Sequence, residues 1–396
     1  MSVHDLEAPK DDGGKLIYPP VNRVGALAGS NRETLRRTSV SLLDLSLAEV
    51  RTRANQEIRQ QIDAYLGERD EPRPRFSADG WFVAGHQPEL FHPGVWLKNF
   101  TLHALARAHG ANPLNLIVDN DSARHAALRL PARERIETIP FDHWHGEVPF
   151  EERDVVDESA FASFPARLRA ITESWPFEPI LGDFWIDVAR AAGRTRNAAE
   201  RLVHARRGWE RRFGLAPVEL PVSRLCRTEA FASFAGAVVL EAERFRAAYN
   251  TAVAGYRARH GLRSRNHPAP DLTRDGDWIE TPFWGWRSEK PERGRLMARR
   301  SGAGLELRAG AAAWPTLKAD TPADVRRSWL ELEPRGFKVR PRALSLTLFT
   351  RLCLADVFFH GLGGGKYDEV TDGIYRRCGF FQPECLLQVD RCSCCC

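Results

Sequence analysis

The sequence predicts an α/β protein built around a parallel sheet. Three observations carry this. An apolar run, "WFVA", at 81–84 meets the loop "GHQPELFHPG" at 85–94 and then the helix-periodic "VWLKNFTLHALARAHG". A second strand-like run, "LNLIVDND", follows at 114–121, so strand, helix and strand succeed one another as a βαβ unit with parallel strands. Later, "DVFFHG", "LGGG" and "KYDEVTDGIYRRCG" repeat the order strand, glycine-rich loop, helix.

The elements in chain order fit that frame. Residues 1–29 are polar, lack the apolar segment of a secretory signal and are expected to form a mobile arm. Residues 30–67 read as the helical N-terminal part of a core spanning 30–385, because "SLLDLSLAEVRTRANQEIRQQIDAYLG" keeps apolar positions three and four apart and ends in Gly67. After the connector "ERDEPRPRFSADG" come the βαβ unit and a stretch, 131–200, punctuated by prolines and acids around short helices. A third strand is expected at "VELPVSRL", 218–225, then one or two helices from Thr228 to Gly261. "WIETPFWGWRS", "GRLMARRS" and "GLELRAG" predict a small antiparallel insertion at about 275–310. "ALSLTLFTRLCLA" predicts an apolar helix before the last strand–loop–helix unit.

The formal net charge is +5 over 396 residues, with arginine spread along the chain. This is no nucleic-acid footprint, though it suits a small anionic ligand. The longest apolar stretch, "AFASFAGAVVL", ends at Glu241 and is too short to span a bilayer. Cys226, Cys353 and Cys378 read as buried thiols, while five more cysteines crowd the last twelve residues, so 386–396 is expected to be a frayed tail. A secreted disulfide framework would distribute them, and a reduced, cytoplasmic protein is expected. The oligomeric state is open.

Three stretches could carry chemistry. In parallel α/β sheets ligands bind where strands end and helices begin, because the first backbone N–H groups of a helix are unpaired and carry partial positive charge. At the first such junction Gly85 and Gly94 allow close approach, His86, Gln87 and His92 add donors, and Lys98 and Asn99 lie in the first helical turn. The second stretch, "VDNDSARH", places Asp119, Asn120 and Asp121 at a strand end with His125 after them, groups able to hold an amine, hold a metal or accept a proton. In the third, Gly361, Gly363, Gly364 and Gly365 are expected to form an anion nest beside His360, Lys366 and Tyr367. It is not a Walker loop, since Tyr367 follows the lysine. Weaker candidates are the histidines of "DHWH" (142–145), the aromatic faces of "TPFWGWR", and Arg340 and Arg342 in "KVRPRAL", whose forks suit carboxylate or phosphate.

The order "AGHQPELFHPGVWLKNFTLHALA", "LNLIVDND", "RPRALSLTLFTRL", "DVFFHGLGGGKYDEV" resembles the bacillithiol synthase family, the cysteine-adding enzymes of bacillithiol biosynthesis. The likeness covers 81–130 and 338–385 and is topological between them. Gly85, Gln87, Leu90, Phe91 and Gly94 fall on the family's G-Q-Q-x-G-L-F-x-G-P loop. Asp119, Asp121 and His125 fall near its acidic stretch, Arg340 and Pro341 on its R-P pair, and Gly363 and Gly364 on its glycine pair. His86 stands where the family has glutamine, "FHPG" replaces F-x-G-P, and the family's C-terminal coiled coil is absent from this sequence. The resemblance implies a Rossmann-like core of the HIGH-type nucleotidyltransferase kind and a ligase joining a carboxylate to an amine. His86 and His92 would then stabilise developing negative charge, and Asp119 or Asp121 would hold the ammonium or take its proton. No residue is singled out as a metal ligand for the ligase reading, and whether ATP is consumed is open; if it is, magnesium should be needed. Two other classes remain: a metal-dependent hydrolase using His86, His92, Asp121 and His125 or His143, and a non-catalytic small-molecule binder.

Overall fold

A computed structural model describes residues 6–11, 14–78, 80–90, 93–216, 218–302, 304–310, 312–378 and 392–395. They divide into two compact units, one made of 1–85, 92–116 and 218–396, the other of 86–91 and 117–217.

In the first unit the centre is a mixed six-stranded sheet; from one edge inward, four of its strands lie in the order Glu219–Pro221, Asn112–Ile117, Trp81–His86, Ala355–His360. These four are parallel. Trp81 pairs with Ala355 and Ala84 with Phe359. The strands are buried on both faces and largely apolar: Trp81 to Ala84 and all six residues of 355–360 are buried, Asp356 and His360 among them. A parallel strand covered by helices on each side requires this. The helices Val24–Arg37 and Pro93–Ala108 contribute Val24, Ala28, Leu102, Leu105 and Ala106 to one cluster with Phe82, Ala84, Val357 and Phe359. The helix Leu47–Gly67 opens on a capping box, in which Ser46 and Glu49 bond reciprocally.

Charges in this unit are buried in pairs. Asp356, 2% exposed, accepts from Arg32 at 3.0 Å and from Arg51 at 2.9 Å. Its carboxylate lies against Gly80, where a Cβ would sit 1.8 Å from Oδ2, so only glycine fits. Arg351 bonds Asp368 at 2.6 Å and Asp372 at 2.8 Å. Burial opposes its charge, but the two carboxylates win and raise its pKa above the ordinary arginine value.

The antiparallel insertion is present as strands Arg274–Asp275, Trp278–Arg287, Lys290–Ser301, Gly304–Ala309 and Ala312–Ala313. It gains one further strand, Phe337–Pro341, paired with 278–287. Trp286 is buried, as expected for sheet packing, and Arg342 stacks on Trp284 at 4.2 Å.

Several expectations are corrected. Residues 16–29 do not form a mobile arm: Leu16–Tyr18 is a strand and the first long helix begins at Val24. The 386–396 segment is not wholly a frayed tail, because Cys392–Cys395 pairs with both Leu16–Tyr18 and 355–360. The strand expected at 218–225 stops at Pro221, which lacks an N–H for the ladder, and Val222–Leu225 turns helical. The apolar helix of 343–355 ends at Phe349 and widens into a π turn, Thr350–Leu354. Cys226, Cys353 and Cys378 are buried free thiols as expected. Burial pushes the Cys378 thiol up to about 12.

Among its described residues the second unit has short strands and three α-helices. Ser122–Ala123 pairs with Val148–Pro149, and Ala127–Pro131 with Ile136–Pro140. The helices are Glu158–Thr172, Leu181–Arg190 and Ala198–Arg212, the first and last capped by Asp157 and Asn197. Trp185 is the centre of its core, with ring centroids 4.4 Å from Phe164 and 4.9 Å from Phe161, and its indole N–H donates to the Phe161 carbonyl at 2.8 Å. Asp142 is structural: its carboxylate accepts from the backbone N–H groups of His143, Val156 and Asp157. Among the described residues no helix is long and apolar enough to cross a membrane.

Candidate functional site

In the first unit, two helices start at the carboxyl ends of neighbouring parallel strands. The helix Pro93–Ala108 follows strand 81–86, and Leu362–Arg377 follows strand 355–360. The first turns of both helices therefore lie at one edge of one sheet. Gly85 and Gly94 are half-buried there. The Lys98 ammonium, 4% exposed, donates to the Gly85 carbonyl at 2.6 Å, and so ties the strand end to the helix.

The glycine-rich stretch is not the expected nest. The helix begins at Leu362, so Gly363, Gly364, Gly365 and Lys366 occupy its first turns, with Gly361 as the cap. The Gly365 N–H already bonds the Gly361 carbonyl at 2.9 Å. Gly364 has a packing reason, because a Cβ there would meet His360 Nδ1 at 3.2 Å. His360 is buried with Nε2 2.9 Å from Asp368, and Tyr367 meets the rings of His267 and Tyr256. These contacts correct the assignment of His360 to an anion site: its ring belongs to the Arg351–Asp368 network.

Arg340 is corrected likewise. It is 1% exposed, paired with Glu333 at 2.9 Å, and packs on Trp286, so its fork serves the antiparallel sheet. Arg342 pairs with Glu280 at 2.8 Å.

In the second unit, His86 and Gln87 meet the acidic stretch. The His86 carbonyl accepts from Val118 N–H at 2.9 Å. Gln87 Nε2 donates to Asp121 Oδ2 at 3.0 Å, while Asp121 Oδ1 accepts from Ser122 N–H at 2.8 Å. Asp119 and Asn120 are buried, His86 is half-buried with Nδ1 3.2 Å from the Gln87 carbonyl, and His125 is exposed. His92 lies outside the described residues.

Beside these groups the same unit holds a cavity of about 60 Å³, lined among others by Glu89, His125, Arg153, Phe150 and Leu202. Glu89 lies in the quoted loop yet had no role in the sequence reading. Burial raises its carboxyl pKa, with His125 and Arg124 pulling the other way and Asp121 adding to the rise. Arg153 was missed altogether: an arginine within "EERD" looks like a surface residue, but it is 3% exposed. Burial lowers its pKa, and Asp142 opposes that.

Among the described residues no group of three or more His, Cys, Asp and Glu side chains is placed to hold a metal ion. The arrangement that is present sets two helix starts at one sheet edge and, in the second unit, an Asp121 carboxylate held by Gln87 and the Ser122 N–H. Compared with protein-family models and with curated proteins, the chain matches none. The class that fold and site define is a mixed α/β protein with a four-stranded parallel sheet.

Proposed function

We propose that this chain is a carbon–nitrogen ligase of the bacillithiol synthase kind, on a HIGH-type nucleotidyltransferase-like core. It joins the carboxylate of cysteine or another amino acid to an amine such as a sugar amine, in the cytoplasm. The observation that supports it best is the pair of helix starts at the carboxyl ends of neighbouring parallel strands, a seat for phosphate or carboxylate. The motif order along the chain supports it as well.

In the second unit His86 is the donor toward an oxygen that becomes negative as the amine attacks, and donors aimed at developing charge are usually the largest catalytic contribution. Asp121, oriented by Gln87, holds the attacking ammonium and takes its proton; Asp119 backs it with a second carboxylate. Amide formation from a free carboxylate expels water, so the assay is run with and without ATP and magnesium.

The test is direct. Purified protein is incubated with cysteine or other amino acids and with glucosaminyl malate or simpler sugar amines, and products are sought by mass spectrometry. A condensation product lighter than the two substrates by one water is expected. His86→Ala should cut its rate by about a hundredfold while leaving the melting temperature nearly unchanged. If every carboxylate–amine pair fails in both arms, the ligase reading is wrong.

A further inference from the structure

The second unit holds a buried cation, Arg153. Both terminal nitrogens of Arg153 are buried and have no hydrogen-bond partner among the described residues. Leaving a buried charged donor unsatisfied is among the costlier things a protein can do. The surroundings show no hidden relief. Asp142 is the carboxylate whose charge Arg153 feels, but its oxygens already accept three backbone N–H groups. Glu89 lines the same cavity, yet the charges acting on it are those of His125, Asp121 and Arg124 rather than Arg153. Trp144 covers one face of the guanidinium at 4.9 Å. Ring stacking uses the face of the fork and leaves its edge for an acceptor.

Glu89, Arg124 and His125 also line the cavity, and an apolar part of its wall comes from Leu90, Leu128, Phe141, Phe150 and Leu202. A volume of about 60 Å³ admits a few heavy atoms beyond a water. A planar two-oxygen anion matches the fork, and a short hydrocarbon matches the walls.

We propose that this cavity is a binding site for a short aliphatic carboxylate of acetate or propionate size, with Arg153 as its anchor. The two carboxylate oxygens accept from the Arg153 terminal nitrogens, and the alkyl end lies among the leucine and phenylalanine side chains. The inference is independent of the ligase reading, because it predicts equilibrium binding and needs no turnover.

The experiment is calorimetric titration of the full chain with propionate, propionamide and inorganic phosphate, backed by thermal shift. Propionate is expected to bind at about millimolar strength and to raise the melting temperature, while the isosteric amide and phosphate do neither. Arg153→Met should abolish binding. Should that variant fail to fold, Arg153→Lys keeps the charge without the fork and should weaken propionate at least about tenfold. Equal shifts with propionamide would reduce the site to an apolar pocket. Equal shifts with phosphate would make it a general anion site. Unchanged propionate affinity in either variant, or no propionate binding to the unaltered protein, would overturn the proposal.

Discussion

Two regions of this protein treat buried charge in opposite ways. In the parallel-sheet unit the internal ions come matched: Asp356 with Arg32 and Arg51, Arg351 with Asp368 and Asp372, Arg340 with Glu333. In the smaller unit Arg153 is buried to a similar degree with its fork unsatisfied. Burying a charge is tolerable when its partner is built in, so matched ions speak of architecture. An unmatched one, beside a cavity, speaks of a partner supplied from outside.

The contrast can be broken by substitution. The largest effect is expected from Asp368→Ala, which leaves buried Arg351 with Asp372 alone and takes from buried His360 its carboxylate partner. Removing one side of such a buried network costs about 3–5 kcal/mol, read as a fall in the urea midpoint. A loss below about 1 kcal/mol would show the matched ions to be as weak as surface pairs. Arg153→Met should go the other way. Without added carboxylate, replacing an unmatched buried cation by an apolar side chain should leave stability unchanged or raise it by about 1 kcal/mol. A loss as large as that of Asp368→Ala would mean Arg153 is matched after all, and the comparison would collapse.

The smallest effect concerns Glu89 and sharpens the electrostatics of the cavity. Its folded pKa is raised, chiefly by burial, so the folded state prefers the protonated form. Its contribution is therefore fully present below the unfolded-state pKa and is lost as pH rises through the folded one. Glu89→Gln should give a modest gain in melting temperature at neutral pH that disappears below the ordinary carboxylate range. A gain of the same size at every pH would assign the effect to packing instead.

Much of the frame was legible along the chain. The βαβ unit around 81–117 and the late strand before Leu362 stand out because a parallel strand buried on both faces must be continuously apolar, and its helix must repeat every three to four residues. Thr228 and Gly261 announced the ends of a helical pair by capping chemistry alone. The glycine run was less transparent. Glycine permits both a nest and a helix start, and the choice fell to Asp368, whose bonds to His360 and Arg351 hold the first turns in place. Residues 16–29 also misled, because a short strand and a helix start carry little local signal when their partner lies at 392–395.

Gln87 and Asp121, singled out by residue type and position, are hydrogen-bonded to each other. Arg340 and His360, singled out in the same way, were misread, as their partners are supplied from elsewhere in the fold. Arg153 could not be found at all. Nothing in "EERD" distinguishes a solvated arginine from a buried one, since burial is decided by the helices and strands that close over it.

The sequence by itself therefore determined the βαβ unit, the late strand with its following helix and the polar residues at those strand ends, because apolar periodicity and capping are local properties. Only the tertiary structure decided which charges are matched and which is left open. That depends on side chains distant in the chain, and on the high cost of an ion inside a protein that has no counter-charge within reach.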